Sequence, residues 1–281
     1  MTIYDPIFIV GSERSGTTLL RLMLTSHPSV AVPPEGDFLT RIRADNPQSV
    51  AQQQAFIKAF LSVEKCQEWG LSAALLREGI AMMQPRTWPE LAAVPYWTWL
   101  AVNFPNANRW GDKNPSHIHR LPQLLAMYPT AKFVHIIRDG RDVATSWLGV
   151  PFGPTDAATA AVTWSRAVLA GRQAAGAHPG RFCEVHYEDL VRNPEPALRN
   201  LCAFLGEEFS PEMMGYAAAN QKRALVPKHR LAWHGNTLRP PDPARIGRWQ
   251  SELTAEQIAA FEQTAGQVLS MTRYTLSTEA S

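Results

Sequence analysis

The chain has 281 residues, a net charge of +2 and 45% hydrophobic residues, a composition typical of a globular protein that buries a substantial core. So small a charge does not indicate a nucleic-acid-binding surface, and three widely spaced cysteines indicate neither a disulfide framework nor a zinc site. The N-terminus lacks the pattern of a signal peptide, and no apolar stretch reaches the ~18 residues of a membrane span. We therefore expect a soluble, cytoplasmic protein in which residues 1 to 281 form one domain. Its oligomeric state, a homodimer included, is left open.

The first predicted strand is IFIV, residues 7 to 10, and it leads through the loop GSERSGTT into an amphipathic helix. The loop keeps the glycine spacing of a nucleotide-binding P-loop, but Thr17 replaces its lysine and the cation is Arg14. The backbone N–H groups from Ser15 to Thr18, the loop hydroxyls and the helix N-terminus still predict an anion site. This site suits a nucleotide α-phosphate that carries one further charged group and is held without a metal. A strand-to-helix turn that binds nothing is the alternative.

Residues 38 to 105 show no strand signal of comparable strength. SVAQQQAFIKAFLSVEKCQEW and SAALLREGIAMM predict amphipathic helices, and the aromatic stretch WPELAAVPYWTWLAVNF is interrupted by proline. The segment therefore predicts a helical insertion packed over a sheet. Its tryptophans belong either to an acceptor pocket or, as we favour, to the core. They are Trp88, Trp97 and Trp99.

Three further apolar runs predict strands of the same sheet. They are KFVHII (132 to 137), RFCEVHY (181 to 187) and, more weakly, NRWGDK (108 to 113). Since helical patterns separate the runs, the strands should be parallel. The sequence thus predicts an α/β fold in which helices flank a central parallel sheet.

A second candidate anion site follows the strand at 132 to 137. In VHIIRDGRDVATSWL, Arg138 comes directly after the strand, Arg141 shares its turn, and Ser146 lies about two helical turns further on. Arginines at the carboxyl end of a parallel strand are placed where α/β folds bind ligands. A solvated turn with arginine–aspartate pairs is the alternative. Two anion sites on neighbouring turns indicate a nucleotide with phosphates at two separated positions.

The C-terminal part begins with a polar segment. Residues 228 to 249 are basic and proline-rich and predict a long loop, which is usually functional or mobile. TAEQIAAFEQTAGQVLSM then predicts a closing helix with a capping box formed by Thr254 and Gln257.

Three motifs in these segments resemble those of the sulfotransferases that use 3'-phosphoadenosine 5'-phosphosulfate (PAPS), and in particular the tyrosylprotein sulfotransferase-like and bacterial branch. They are FIVGSERSGTTLLRLMLTSHP, VHIIRDGRDVATSW and VHYEDLVRNPE, with IGRW near residue 249 as a weaker fourth. The resemblance implies a P-loop NTPase-like three-layer sandwich and the transfer of a sulfuryl group. It also accounts for the absent lysine and magnesium ligands, because PAPS has no γ-phosphate.

The resemblance implies three groups of donor-binding residues: the first loop at the 5' end, the second turn at the 3'-phosphate, and the C-terminal segment closing over it. In chain order they are Ser12, Arg14, Ser15, Gly16, Thr17 and Thr18, then Arg138 and Ser146 with Tyr187 near the nucleotide, and finally Arg245 and Arg248.

The reaction needs a base for the acceptor hydroxyl. Glu35, in HPSVAVPPEGDF, matches the glutamate of the tyrosylprotein branch, and a base role would require burial or the neighbouring Asp37 to raise its pKa toward neutrality. His117 is the alternative base, weakened because Pro115 occupies the position of the histidine base of cytosolic aryl sulfotransferases.

The reaction also needs cations at the bridging oxygen of the donor. Lys113, in WGDKNPSH, resembles the lysine of the corresponding strand in the family and would act there together with Arg14. Thr237, in the C-terminal segment, is a further candidate hydroxyl donor near the sulfate.

Two other functions compete with sulfuryl transfer: a P-loop kinase or hydrolase, and a catalytically inactive nucleotide-binding protein. The first needs the lysine that Thr17 replaces, and the second has no use for a base such as Glu35. The acceptor is open between a hydroxylated small molecule, a glycan and a lipid. A tyrosine peptide is less favoured, because Asp37 stands where a peptide enzyme of the branch carries a basic residue.

Overall fold

The computed structural model describes residues 5–150 and 153–279. The N-terminal segment was predicted to lack a signal peptide, and its residues 1–4 lie outside the described residues. Five parallel strands form a sheet with the order β2-β3-β1-β4-β5. They are β1 (Ile7–Gly11), β2 (Val30–Ala31), β3 (Arg109–Lys113), β4 (Lys132–Ile137) and β5 (Phe182–His186). Four strands coincide with the predicted runs, whereas β2 is too short to show a pattern.

Helices cover both faces of the sheet, which confirms the predicted three-layer α/β fold. Those before β4 are α1 (Thr17–Thr25), α2 (Val50–Ser62), α3 (Glu64–Gln67), α4 (Ala73–Met83), α5 (Trp88–Asn103) and α6 (Leu121–Met127). Those after it are α7 (Gly140–Leu148), α8 (Ala157–Ala177), α9 (Tyr187–Arg192), α10 (Pro194–Leu205), α11 (Tyr216–Arg223), α12 (Leu231–His234), α13 (Trp249–Glu252) and α14 (Ala255–Met271).

The alternation of side chains along β1 divides the core. Ile7 and Ile9 pack with α1 and α10 on one face, whereas Phe8 and Val10 join an aromatic cluster with the insertion helices on the other. All four side chains are fully buried, because a parallel sheet is covered on both sides. The loop after β1 therefore projects from a rigid support at the carboxyl edge of the sheet.

The insertion is helical, as predicted, but its aromatic stretch is not broken. Helix α5 runs continuously through Pro95 after a capping box between Thr87 and Glu90. The proline removes one N–H donor, and the buried side chains on both sides of it supply packing that outweighs this loss. Trp99 is buried in the aromatic cluster, and Trp88 and Trp97 pack against it, in agreement with the core interpretation.

The C-terminal segment is more ordered than the predicted long loop. Short helical turns occupy it, including α12 and the 3-10 turns Lys228–Arg230, Gly235–Leu238 and Pro243–Arg245. The closing helix α14 has the predicted capping box: Thr254 Oγ1 accepts from the Gln257 N–H at 3.3 Å, and Gln257 Oε1 accepts from the Thr254 N–H at 2.9 Å. Among the described residues, no helix combines the length and the apolar character needed to span a membrane.

Candidate functional site

The loop between β1 and α1 is shaped to receive an anion. Gly16 has φ +96°, and a Cβ at this position would lie 2.5 Å from the Tyr187 ring, so only glycine fits without a shift. Arg14 also lies in the left-handed region, with φ +66°, a conformation that is unfavourable for a non-glycine residue and clusters at ligand sites. Helix α1 begins at Thr17, so the positive end of its dipole faces the loop.

Arg14 joins this loop to the second predicted anion site. Its Nε donates to Ser146 Oγ at 3.0 Å, and Arg138 Nη1 donates to the Arg14 carbonyl at 3.3 Å. The Arg138 guanidinium lies 4.4 Å from the centre of the Tyr187 ring. Burial and the neighbouring Arg138 lower the pKa of the Arg14 guanidinium. The two turns therefore form one continuous site.

A strongly basic cleft lies over both turns. Its charged lining residues are five arginines and one aspartate, and one wall comes from residues 233 to 248. Two of the residues predicted to bind PAPS, Ser12 and Ser15, are buried in the loop and do not line the cleft. The other predicted residues that line the cleft are Arg14, Gly16, Thr17, Thr18, Arg138, Ser146, Tyr187, Thr237, Arg245 and Arg248. In residues 5–150 and 153–279, His, Cys, Asp and Glu side chains form no group of three that could hold a metal ion.

Three buried donor atoms around this cleft have no hydrogen-bond partner among the described residues: Ser15 Oγ, Arg138 Nε and Arg245 Nε. A buried donor without a partner is unfavourable by about 1–3 kcal/mol. A ligand with several anionic oxygens would supply the missing acceptors. A nucleotide with phosphate groups at two positions therefore fits both the charge and the orphaned donors of the site.

Asp142 ties the C-terminal wall of the cleft to α7. Its fully buried carboxylate accepts hydrogen bonds from the backbone N–H groups of Gly247 at 2.9 Å and of Trp249 at 3.0 Å. Arg138 Nη2 adds a bond to the Arg245 carbonyl at 2.7 Å. The segment that carries Arg245 and Arg248 is thus held by one carboxylate and one guanidinium.

Arg141, which we expected in the second anion cluster, has a different role. Its guanidinium binds Asp139 at 2.8 Å and Glu262 at 2.6 Å and lies 3.7 Å from the centre of the Trp249 ring. Two carboxylates neutralise its charge, so the expectation is wrong for this residue and the arginine–aspartate alternative holds. Arg141 instead joins α7 to α13 and α14.

A second charged cluster lies at the carboxyl end of β3, the neighbour of β1. Lys113 Nζ donates to Glu35 Oε2 at 2.8 Å, and Lys65 Nζ, from α3 of the insertion, donates to Glu35 Oε1. The side chains of Glu35 and Lys113 are 16% and 6% exposed, whereas that of Lys65 is 35% exposed. One carboxylate therefore faces two ammonium groups in a mostly buried place.

The condition for a base role, a Glu35 pKa raised toward neutrality by burial or by Asp37, is not met. Burial acts in that direction, but the ammonium groups of Lys113 and Lys65 outweigh it and hold the pKa of the Glu35 carboxyl well below its usual range. Asp37 forms an ion pair with Arg41 at 2.6 Å instead. Burial lowers the pKa of the Lys113 ammonium, and the Glu35 carboxylate opposes this effect. Glu35 is thus ionised, but it is a weak base while both lysines hold it.

His117, the alternative base, lies away from this cluster. Asp112 and Lys113 are consecutive in β3, so their side chains point to opposite faces of the sheet. The ring of His117 is 1% exposed, and its Nδ1 lies 2.9 Å from Asp112 Oδ1 at an angle unsuitable for a hydrogen bond. Asp112 Oδ2 accepts a hydrogen bond from Tyr96 OH at 2.7 Å. This placement favours Glu35 over His117 as the base.

No sequence pattern predicts the contacts of Lys65 and Asp142 or the three further polar cleft residues, Asn236, Arg239 and Asp242. A lone lysine in an amphipathic helical stretch is typical of a solvated surface, and its partner Glu35 lies 30 residues away. No local pattern therefore marks Lys65. Asp142 was visible in the RDGRD turn, but only as a partner for arginine.

A family model described as "Sulfotransferase family" matches residues 6–211, and one described as "Sulfotransferase domain" matches residues 155–273. Among curated relatives, the protein-tyrosine sulfotransferase of Drosophila melanogaster is 23% identical over 259 residues, which are 90% of this chain and 48% of that protein. The chain thus spans about half the length of this relative.

Two solved structures share the fold. The sulfotransferase domain from the curacin biosynthetic pathway is 20% identical with a TM-score of 0.69, over 97% of this chain and 98% of that one. The mouse sulfotransferase SULT7A1, solved in complex with PAP, is 15% identical with a TM-score of 0.53, over 95% of this chain and 84% of that one.

Proposed function

The chain belongs to the sulfotransferase family, and we propose that it transfers a sulfuryl group from PAPS to an acceptor hydroxyl. The observation that carries the proposal is the pair of basic turns joined by Arg14, together with the buried Glu35–Lys113 pair at the same edge of the sheet. A phosphate-binding loop that lacks the P-loop lysine suits a donor without a γ-phosphate. Two of the orphaned donors, Arg138 Nε and Arg245 Nε, belong to residues that line the cleft, and they support an anionic ligand.

PAPS would lie in the basic cleft, with its 5' end at the first basic turn and its 3'-phosphate at the second. The N-terminus of α1 and the hydroxyls of Thr17 and Thr18 would bind the 5' end, where a helix dipole favours negative charge. Arg138 and Ser146 would bind the 3'-phosphate, and Tyr187, which already stacks with Arg138, would contact the nucleotide. The remaining implied contacts come from residues 228 to 249, called the closing segment here, and from hydroxyls buried in the loop after β1. The closing segment supplies Arg245 and Arg248, and the loop supplies Ser12 and Ser15.

The reaction would be an in-line displacement at sulfur. Glu35 takes the proton of the acceptor hydroxyl as its oxygen forms the new bond to sulfur. The bond between sulfur and the bridging oxygen breaks, and its electron pair stays on the 5'-phosphate. Lys113 and Arg14 stabilise the charge that develops on this oxygen. The products are the sulfated acceptor, 3'-phosphoadenosine 5'-phosphate (PAP) and a protonated Glu35, which returns its proton to solvent. No metal takes part in these steps.

The insertion and the sheet form one catalytic unit in this proposal. Lys65 from the insertion and Lys113 from β3 hold the same carboxylate, and Asp142 fastens the closing segment to α7. A single sulfotransferase domain is therefore the arrangement we propose for residues 1 to 281. We also propose a cytoplasmic location, supported by the free thiols of its cysteines.

For the acceptor we propose a hydroxylated small molecule, glycan or lipid rather than a tyrosine peptide. The relative from Drosophila melanogaster is named a protein-tyrosine sulfotransferase, so a phenolic acceptor is compatible with the family. Acidic sequences around a tyrosine would meet Asp37, whose carboxylate is 17% exposed and is already paired with Arg41. An inactive nucleotide-binding protein is a weaker alternative, because it would gain nothing from burying Glu35 between two lysines.

The first experiment is calorimetric titration with PAP, without added metal, and in parallel with ATP plus magnesium. We expect metal-free binding of PAP, and we expect Arg138→Ala to weaken it at least tenfold, because this guanidinium also holds the closing segment. Arg199→Ala is the matched control, since Arg199 forms an exposed pair with Glu195 on α10. Its affinity for PAP should equal that of the wild type.

Turnover is then tested with PAPS and a panel of phenols, alcohols and glycans, and PAP release is measured. Tighter binding of ATP with magnesium than of PAP would overturn the proposal. If the protein binds PAP but releases none from PAPS with any acceptor of the panel, the inactive nucleotide-binding protein is favoured.

A further inference from the structure

We propose that Lys65 is a positioning residue of this site, which keeps Glu35 ionised and in place when Lys113 turns to the donor. The inference rests on the proposed sulfuryl transfer and deepens it. It assigns to the helical insertion a part in the proton transfer, in addition to any part in acceptor binding.

Helix α3 is docked directly on the loop that carries Glu35. Lys65 binds the Glu35 carboxylate, the fully buried Cys66 lies next to Asp37, and Trp69 packs on Gly36. A Cβ on Gly36 would lie 2.8 Å from the Trp69 ring, so the two segments touch without space between them. Three successive loop residues thus meet three residues of one short segment. The ammonium of Lys65 is held in place by this docking rather than reaching Glu35 as a mobile surface side chain.

The charged groups around Glu35 come from three elements. Lys113 of β3 and Lys65 of α3 bind its two oxygens, and Arg21 of α1, which is fully buried, interacts with the same carboxylate. Beyond them lie Glu68 and Arg230, which bind each other at 2.7 Å and both interact with Arg21. Counted together, these six groups carry four positive and two negative charges. The surplus of positive charge would be met by the anionic donor.

Lys113 cannot serve Glu35 and the bridging oxygen equally well. In the proposed reaction the donor attracts the Lys113 ammonium, and Glu35 then loses one of its two partners. A carboxylate buried without any cation is protonated more readily, because burial disfavours its charged form. With Lys65 still in place, Glu35 stays ionised and oriented, yet it is less strongly held than by two lysines. This is the state in which a carboxylate can accept the proton of a hydroxyl group.

The test follows the titration of Glu35 itself, with ¹³C NMR of protein labelled at the glutamate carboxyl carbons. The Glu35 signal is identified by its absence in Glu35→Gln. The variants are Lys65→Met, the charge-conserving control Lys65→Arg, and Lys113→Met, which imitates the state in which Lys113 has left. We expect Glu35 to remain ionised at pH 7 in Lys113→Met.

In the double variant Lys65→Met/Lys113→Met, we expect the pKa of Glu35 to rise by at least two pH units relative to Lys113→Met. Lys65→Met alone should raise it by at least one unit over the wild type, and Lys65→Arg should stay within half a unit. If Lys65→Met titrates like the wild type and the double variant titrates like Lys113→Met, Lys65 has only a structural role and the inference is wrong. Should Lys113→Met fail to fold, the comparison of Lys65→Met with Lys65→Arg still decides.

PAP binding is measured by calorimetry on the same samples, so that the two proposals are tested separately. PAP binding by the wild type with an unshifted Glu35 in Lys65→Met contradicts the role of Lys65 and leaves the proposed function intact. A shifted Glu35 in a protein that binds no PAP contradicts the proposed function, and the role of Lys65 in the reaction falls with it.

Discussion

Asp142 offers the sharpest test of how the cleft is built, because it touches the closing segment only through backbone N–H groups. Asp142→Ala removes the acceptor of the Gly247 and Trp249 N–H groups, which lie 2.9 and 3.0 Å from its carboxylate. A hydrogen bond to a charged group contributes about 1.5–3 kcal/mol, so the two together hold the segment with roughly 3 kcal/mol or more. The segment carries Arg245 and Arg248, and releasing it should weaken PAP binding. Asp142→Ala also removes the carboxylate that lies 3.6 Å from Arg138 Nη2, and this added positive charge would favour an anion, so a fall in affinity reports the release of the segment.

Amide hydrogen exchange measures this release directly. A loss of roughly 3 kcal/mol corresponds to about a hundredfold faster exchange at Gly247 and Trp249, since each 1.4 kcal/mol is tenfold. We expect PAP affinity to fall by about tenfold, and the free energy of unfolding to fall less than the local loss, because the freed N–H groups can reach water. Asp156→Ala is the control: Asp156 caps α8 from an exposed position and accepts from the Thr159 N–H at 2.8 Å. Unchanged exchange at both amides together with unchanged PAP affinity in Asp142→Ala would refute the anchoring role.

Three further predictions concern the base, a buried histidine and a helix start. Glu35→Gln should lower kcat for sulfuryl transfer by about 10²–10⁴-fold while calorimetry still detects PAP binding; retained turnover would exclude Glu35 as the base. His135 is fully buried on β4, and burial lowers its pKa to about 4. The unfolded chain therefore binds its proton first, and roughly 3 kcal/mol of stability should be lost as the pH falls from about 6.5 to 4. Urea unfolding should show a smaller pH dependence in His135→Gln than in the wild type; equal slopes would contradict this. Gly140→Ala would place a Cβ 2.6 Å from both Trp164 and Phe261, and thermal unfolding should show that the free energy of unfolding falls by about 1–3 kcal/mol. An unchanged value would show that the two rings move aside without cost.

Local patterns were enough to predict four of the five strands and the glycine-bounded loop between β1 and α1. β4 has the predicted bounds, and β1, β3 and β5 agree with the predicted runs to within one residue at each end. The runs of β1 and β4 are recognisable because a strand buried on both faces is almost continuously apolar, whereas β3 carries three charged residues and its run is the weaker signal. The glycine spacing of the loop is local in the same sense, because the backbone angle of Gly16 favours glycine. The Tyr187 ring packed against it comes from a distant segment.

Predictions that depended on a balance between distant groups were less successful. Pro95 ought to interrupt its helix by local rules, but buried neighbours keep α5 continuous. Arg141 and Arg138 look alike in the RDGRD turn. Arg141 is neutralised by Asp139 beside it and by Glu262, more than a hundred residues away, whereas Arg138 faces the cleft. The raised pKa that a base role of Glu35 would require is absent for the same reason, because the ammonium groups of Lys113 and Lys65 bind its carboxylate.

The sequence by itself determined four of the five strands, the main helical segments, the glycine-bounded loop after β1 and the chemical types of residue available for catalysis. These follow from periodicity, glycine positions and side-chain chemistry, each of which is contained in a short segment. Only the tertiary structure decided which charges meet. It joined Arg14 to Ser146 across 132 residues, placed two lysines on one carboxylate, and fastened the closing segment to α7 through Asp142. Electrostatic effects fall off with distance in space and not along the chain, so the protonation of Glu35 and the positive charge of the cleft are properties of the fold.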